Sequence, residues 1–586
     1  MTTSSGVLNM AVAEKRPSGR YKFVRDEKAG GATFTPRGLA GFVARQIVAN
    51  LDRPEGTTLR VIDPAVGEGA LLVSLVDELA SHGFWNVEVH GFDTNPESLE
   101  IAKAALIARF PSVAIRFRAG DFLEFAGESA LRGRSLFAAG SPAHFDVVIA
   151  NPPYVRTQIM GARHAQRLAS HFGLSGRVDL YYAFILGMIE VLDENGVAGI
   201  IVSNRFMTTK SGAAVRKVLR ESVCIRHVWD LGDTRLFDAA VLPAVLVVEK
   251  GPVAGGNPGF TSIYETDVPA KGEVRDVIAA LSESGAVAVG DGRRFRVVHG
   301  ELDLASGSTD VWRVATDKGD AWLRTVERYT WRKFGDVGSI RVGIKTCADN
   351  VFINSEWDKM AEADRPELVQ PLITHHVARR FKADYTAGSR WVLYPHVMDE
   401  NGQRVAADLS LYPRTAIYLE RNRPALESRS YVMEAGRQWY EIWVPQNPAV
   451  WCLPKLVFRD ICEAPTFWVD LEGRVVNGDC YWLAMGPGQS TDLLWLAAAV
   501  ANSSFIEAFY DHRFHNKLYA GRRRFMTQYV EQFPLPDPER QEVREMSRLA
   551  KQIYDLTPSA AATALQSELD GLVWRAFGVS VEEISR

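Results

Sequence analysis

Within four residues, Asn151, Pro152, Pro153 and Tyr154 present a side-chain amide, two backbone carbonyls outside regular structure and an aromatic ring. That set suits the capture of a planar exocyclic amine. The Asn151 side-chain oxygen and the Pro152 carbonyl can both accept from an NH2 group, while Tyr154 stacks on the ring that bears it. The plain alternative is a turn after a buried strand, with Tyr154 as a surface aromatic. Three acids upstream shift the balance. Asp63, ahead of Pro64 and a turn holding Gly67 and Gly69, suits an amino group. Asp93, closing Val87-Glu-Val-His-Gly-Phe, suits a ribose diol. Asp121, with Phe122 beside it, can hold an adenine by a hydrogen bond and an edge contact. Taken singly, each acid is a helix cap or a solvated turn. Three at successive strand ends, ahead of Asn-Pro-Pro-Tyr, favour a binding site.

The elements that must position these groups follow from apolar patterning. Phe145 to Ala150 is a near-continuous apolar run, the pattern of a strand buried on both faces of a parallel sheet. It stops at two prolines that cannot donate to a ladder and that hold the preceding residues extended, so Asn151 to Tyr154 is a stiff loop. Leu59 to Leu75 reads as strand, Gly-containing turn and helix, with free N–H groups at the helix start. It is not the dinucleotide fingerprint, because the third glycine is missing. Val87 to Asp93 and Val113 to Arg118 read as further strands, and Thr35 is placed to cap a helix from about Leu39 to Leu51, with Pro36 in its first turn. Asp179 to Phe184 opens a long amphipathic helix expected to end at Gly196. Strands are expected at Val197–Val202, Trp229–Asp233 and Val241–Glu249, and the loop Ser203 to Gly212 leads into a helix with Arg216. The fold class is α/β with a doubly wound, Rossmann-like sheet, whose ligand sites lie at the carboxyl ends of the strands.

T-F-T-P, D-P-A-V-G-E-G, G-F-D, G-D-F and N-P-P-Y, in this order, resemble the motifs of class I S-adenosylmethionine-dependent N6-adenine DNA methyltransferases of the gamma class, to which the Taq-type enzymes belong. The motif of Phe34 precedes the Gly loop, and the matches span residues 31 to about 250. The resemblance implies that Thr33, Phe34, Pro36, Asp63, Pro64, Gly67, Gly69, Asp93, Asp121 and Phe122 line an S-adenosylmethionine site. It also implies that Asn151 to Tyr154 hold the target adenine. Family members place an aromatic that sandwiches the flipped base where this chain has Phe237, a residue that could equally be buried in a hairpin. A mixed α+β target-recognition domain follows C-terminally, as Gly343-Ile-Lys-Thr, Asn350–Ile353, Pro465–Asp470 and Phe533-Pro-Leu-Pro536 more loosely resemble that of the Taq-like methylases. The partners implied are double-stranded DNA and a separately encoded restriction endonuclease. No metal is required, and the family commonly acts as a monomer.

The expected organisation is an arm over 1–30, a catalytic domain over 31–255, a linker with some short strands over 256–314, a recognition domain over 315–540 and a closing helical hairpin over 541–586. A chain of 586 residues is too long for one core. Its formal charge of −4 means that nucleic-acid binding must come from a local patch. Two basic stretches are candidates. One holds Arg379, Arg380 and Lys382; the other holds Arg513, Lys517, Arg522, Arg523 and Arg524 among aromatics. A charge run is usually a solvated face, but a polyanionic substrate makes phosphate contact the better use. His375-His376 has no spaced acid or Cys partner and is read as non-metal. Five scattered cysteines fit reduced thiols in a cytoplasmic protein, and no apolar run reaches the ~18 residues of a membrane span. Competing readings are a methyltransferase acting on an RNA amine or on a protein glutamine amide, and a non-catalytic specificity subunit. The arm before Thr33 is too short for a fused nuclease.

Overall fold

The computed structural model describes residues 34–54, 56–127, 144–153, 180–237, 242–251, 256–304, 311–315, 317–386, 388–514 and 522–581. Thr33, Tyr154 and Lys517 lie outside these residues. The chain divides into two units, one of Met1–Phe206, Ala214–Arg226 and Arg235–Ala254, the other of Met207–Ala213, His227–Thr234 and Gly255–Arg586.

The first unit is built on β1 (Leu59–Asp63), β2 (Val87–Asp93), β3 (Ala114–Ala119), β4 (Phe145–Ala150), β5 (Leu192–Ser203), β6 (Val223–Asp230, whose start belongs here) and β7 (Pro243–Lys250). Its sheet runs in the order β3-β2-β1-β4-β5-β7-β6. The pairs β1/β2, β2/β3, β1/β4 and β4/β5 are parallel, and β5/β7 is antiparallel. The chain therefore winds outward from β1 through β3 and returns to place β4 on the other side of β1. This is the doubly wound α/β arrangement expected, with its topological switch between β1 and β4, the place where such sheets bind ligands. β4 is buried along nearly its whole length, in keeping with its near-continuous apolar run.

Helices cover the sheet. α1 (Arg37–Val48) buries Leu39, Val43 and Ile47, and a Cβ at Gly199 of β5 would come within 2.7 Å of the Ile47 side chain, so α1 and β5 meet closely there. α2 (Ala70–Ser81) follows the Gly turn, and α3 (Pro96–Arg109) is capped by Asn95, whose side chain accepts from the Glu97 N–H at 3.0 Å. α4 (Leu180–Val191) buries every side chain except Glu190, so it is not the amphipathic helix expected, and it stops at Val191 rather than at Gly196. The cause is Asp193 to Gly196, where Asn195 takes a left-handed φ of 57° and β5 pairs with β4 across a register shift. A helix that is apolar all round belongs inside a core.

In the second unit, residues 256–304 are not a linker. Gly259–Glu265 pairs in parallel with the end of β6 and antiparallel with Arg294–Asp303, which also pairs with Gly285–Val289. A further sheet orders Gly338–Val342, Cys480–Met485, Lys455–Arg459 and Phe467–Asp470. The helices Thr491–Ala501, Ser504–Phe514, Gln541–Leu556 and Ala560–Ala576 share one hydrophobic core with Trp322, Phe458 and Phe467, so the expected C-terminal hairpin is part of this unit's core. Trp357, Trp451, Trp468 and Trp482 fill an adjoining core, which accounts for much of the tryptophan richness of the region. Among the described residues no single helix is long and apolar enough to cross a membrane. All five cysteines are free.

Candidate functional site

Asp63, the last residue of β1, is fully buried. Its Oδ1 accepts from the Ala65 N–H at 2.9 Å, while Oδ2 has no hydrogen-bond partner among the described residues. Burial above all, opposed by the Ala65 N–H and aided by the nearby Asp93 charge, pushes its carboxyl up to about 7. A buried acid with one unmatched oxygen is a place where a cation or an N–H donor is stabilised. Pro64 beside it is buried as well.

Asp93 closes β2 half-exposed. Its Oδ2 accepts from the Gly67 N–H at 2.9 Å and its Oδ1 from the Asn95 N–H at 2.8 Å, while the Val66 N–H reaches the Phe92 carbonyl at 2.9 Å. The Gly turn is thus fastened to the end of β2, and each carboxylate oxygen keeps a lone pair for a hydroxyl. Asp121 follows β3, half-buried, and its Oδ1 accepts from the Leu123 N–H at 2.8 Å. Phe122, expected to offer an edge to adenine, is 1% exposed, its ring stacked on Phe184 at 5.7 Å and edge-on to Phe92 at 5.9 Å. The ring is committed to the core.

At the end of β4, Asn151 is half-buried, Pro152 buried and Pro153 half-buried. The Asn151 Nδ2 donates to the Thr35 Oγ1 at 3.0 Å. Thr35 therefore does not cap α1. Pro36 occupies the cap position without a side-chain bond, and the Pro36 carbonyl accepts from the Ala40 N–H at 2.9 Å. The T-F-T-P motif and the Asn-Pro-Pro loop, 116 positions apart, meet through this bond, a link no local sequence signal announces. It engages the nitrogen end of the amide, and the oxygen, with two lone pairs, is the end that can accept from an amine. Phe34 next to Thr35 is 71% exposed, an open ring face, and Phe237 is 7% exposed. The structure thus gathers Thr35, Asp63, Asp93, Asp121 and Asn151 at the carboxyl ends of four neighbouring parallel strands.

In the second unit the basic candidates part company. Arg523 is buried, bound to both Asp511 oxygens at 2.7 Å, to Glu507 and to the Glu463 carbonyl; it is a core ion pair and not the phosphate contact expected. Arg524 is held by both oxygens of Asp460 at 3.0 Å. Arg522 lies 3.7 Å from Glu463, exposed, and Arg379 is exposed beside Asp384. Arg380 donates to the Pro465 carbonyl, Lys382 sits over the Tyr554 ring, and Arg513 is half-buried. His375 has an acid partner after all, Asp479, far away in sequence. No group of three or more His, Cys, Asp or Glu among the described residues could hold a metal ion.

Residues 88–237 match the family of Eco57I restriction-modification methylases. The chain is 35% identical over 571 residues, 94% of its length and 98% of the relative's, to the type II methyltransferase M.BanIII of Aneurinibacillus aneurinilyticus. It is 24% identical over 526 residues, 86% of its length and 91% of the relative's, to M.XhoI of Xanthomonas vasicola. Among solved structures, a nuclease-deletion mutant of the type ISP restriction-modification enzyme LlaGI, in complex with a DNA substrate mimic, superposes with a TM-score of 0.51 at 11% identity, covering 90% of this chain and 47% of that one. The last is a likeness of fold.

Proposed function

This chain belongs to the type II restriction-modification methyltransferases, and on that premise we propose that it transfers the methyl group of S-adenosylmethionine to N6 of an adenine in a specific double-stranded DNA sequence. It does so as the modification half of a restriction-modification system, acting as a cytoplasmic monomer beside a separately encoded endonuclease.

S-adenosylmethionine, when bound, supplies an electrophilic methyl on a sulfonium, and the donor set fits it. The unmatched Asp63 Oδ2 would accept from its ammonium, the Asp93 carboxylate from its ribose hydroxyls and Asp121 from its adenine amine, and Phe34, whose ring is exposed, is assigned to the same cofactor. The single observation that carries the target reading is the Asn151 amide, held by Thr35 at the end of β4 directly ahead of two prolines. The N6 lone pair of adenine is delocalised into its ring and is weakly nucleophilic. Acceptance of both amino hydrogens, at the Asn151 Oδ1 and the Pro152 carbonyl, localises that pair without a strong base. As the N6–methyl bond forms, the methyl–sulfur bond would break, S-adenosylhomocysteine would leave and one amino proton would pass to solvent, and alignment and stabilisation of the charge developing on N6 lower the barrier. A paired adenine cannot reach these groups, so it must swing out of the duplex, and Tyr154 and Phe237 are the rings assigned to stack on it.

Single-molecule sequencing of genomic DNA from an adenine-methylation-deficient host expressing the chain tests this. One short motif carrying N6-methyladenine is expected, lost on Asn151→Ala although that variant still binds the cofactor, whereas Asp93→Ala loses cofactor affinity in calorimetry. Unmodified DNA from a folded, cofactor-binding wild type would instead favour an RNA amine or a glutamine amide as substrate.

A further inference from the structure

The second unit carries a cavity of about 470 Å3 lined by Arg341, Arg404, Arg437 and the segment Trp443 to Asn447. No acidic residue is among those lining it. In a chain with 71 acidic and 67 basic residues, three guanidinium groups around one cavity with no carboxylate at ion-pair distance among the described residues are unusual company. The arginines of the basic runs show the contrast, since Arg379, Arg523 and Arg524 each have a carboxylate partner.

The cavity is also held rigid. Arg404, at the start of the strand Arg404–Ala406, donates from Nη1 to the Gln446 carbonyl at 2.7 Å. Arg437 donates to the Trp443 carbonyl at 2.7 Å and lies 5.0 Å over the Trp443 ring. Arg341, on Gly338–Val342, lies 6.0 Å from the Trp482 ring. The loop that carries Trp443 to Asn447 is tied down by paired Lys345 and Val444 backbone bonds at 2.9 and 3.0 Å, and by the Gln446 Nε2 on the Val342 carbonyl at 2.7 Å. Gln446 holds a left-handed φ of 60°, a conformation that persists only where its surroundings enforce it. The Arg404 Nε is buried with no hydrogen-bond partner among the described residues, a donor that a ligand oxygen would satisfy. His396 next to them is pushed down to about 3, by burial first and then by the charges of Arg404 and Arg437, with the Glu441 carboxylate 3.7 Å from its Nδ1.

Resting on the reading of DNA as substrate, we propose that Arg341, Arg404 and Arg437 form a phosphate-binding site that grips the backbone of the DNA duplex. A base edge carries no net charge and asks for one planar donor set, whereas three uncompensated guanidinium groups anchored on backbone carbonyls and rings match an anion. The site is unconnected with either basic run in the sequence.

The test is fluorescence anisotropy of the full chain with two short duplexes, one holding the methylated motif and one lacking it, between 50 and 200 mM salt. Wild type, Arg341→Gln and Arg341→Lys are compared, with calorimetric affinity for S-adenosylmethionine as the check on folding. Arg341→Gln is expected to weaken both duplexes alike and to make the slope of log affinity against log salt shallower by about 0.9, so that the fall in affinity over that range is about 3.5-fold smaller than in wild type. Arg341→Lys keeps the wild-type slope. An unchanged slope and affinity in Arg341→Gln, or a loss confined to the duplex with the motif, overturns the phosphate assignment while leaving the proposed function standing. A wild type that binds the cofactor but neither duplex overturns both.

Discussion

Replacing Asp63 by Asn separates the two demands that the site places on this carboxyl. In the folded chain its pKa stands at about 7 against an unperturbed 3.8, because full burial penalises the ionised form more than the Ala65 N–H stabilises it. The folded state therefore holds the proton more tightly than the unfolded one. The group costs nothing in acid and costs progressively more as the pH climbs from 3.8 through 7. A shift of this size, at about 1.4 kcal/mol per unit, caps the cost near 4 kcal/mol, of which about 2 kcal/mol develops between pH 5 and pH 7. Asn keeps an oxygen for the Ala65 N–H, now at 2.9 Å from Oδ1, and cannot ionise. The assay is urea unfolding of the cofactor-free chain at pH 5, 6, 7 and 8. The stability of Asp63→Asn relative to wild type is expected to rise by about 2 kcal/mol from pH 5 to 7 and to level off above pH 8.

The cofactor should reverse the sign. An ammonium against the unmatched Oδ2 favours the carboxylate, so S-adenosylmethionine bound near pH 6 expels up to about one proton from wild type and none from Asp63→Asn. Calorimetry in two buffers of different ionisation enthalpy reads that number directly. A relative stability that stays flat from pH 5 to 8 would refute the burial argument. Equal cofactor affinity of variant and wild type at pH 8 would refute the amino-group role and leave the burial argument intact.

Further substitutions probe the frame. Gly69 has a φ of +84°, and a Cβ there would meet the Ala102 Cβ at 2.9 Å and its Cα at 3.1 Å, whereas a Cβ at Gly67, φ +52°, meets nothing. Gly69→Ala should thus cost about 2–4 kcal/mol and impair cofactor binding, and Gly67→Ala only about 1–2 kcal/mol, by urea unfolding and calorimetry. In the second unit Lys455 and Asp470 form a buried ion pair, with Lys455 also on the Trp451 carbonyl at 2.8 Å. Lys455→Met should cost about 3–5 kcal/mol, and adding Asp470→Leu should recover most of it, because the uncompensated charge and not the lost attraction is the penalty. A double variant no more stable than the single would overturn that account.

What the sequence made legible is what depends on neighbours along the chain. β2 falls on Val87–Asp93 as expected, and the acids and the Asn-Pro-Pro loop fall at strand ends, because apolar alternation, turn glycines and prolines act within a few residues. The pairing of Thr35 with Asn151 was not legible: a Thr ahead of a Pro and a helix satisfies the capping pattern equally well, and only the return of β4 beside β1 decides between them. Residues 256–304 carry the Gly, Pro and Ser of a linker because their strands are joined by tight turns, and the pairing that makes them a sheet is non-local. Charge is the most instructive case. Among the basic residues adjacent in sequence, Arg523, Arg524 and Arg379 are met by the acids Asp511, Asp460 and Asp384, while Arg380 and Lys382 are held by a backbone carbonyl and a ring. A site for a phosphate needs the opposite, cations left without partners, and the fold can assemble these from positions as separate as 341, 404 and 437, none of which lies in a charge run. A basic run in the sequence is therefore no map of unneutralised charge, and the cluster we propose as the phosphate site is visible only in three dimensions.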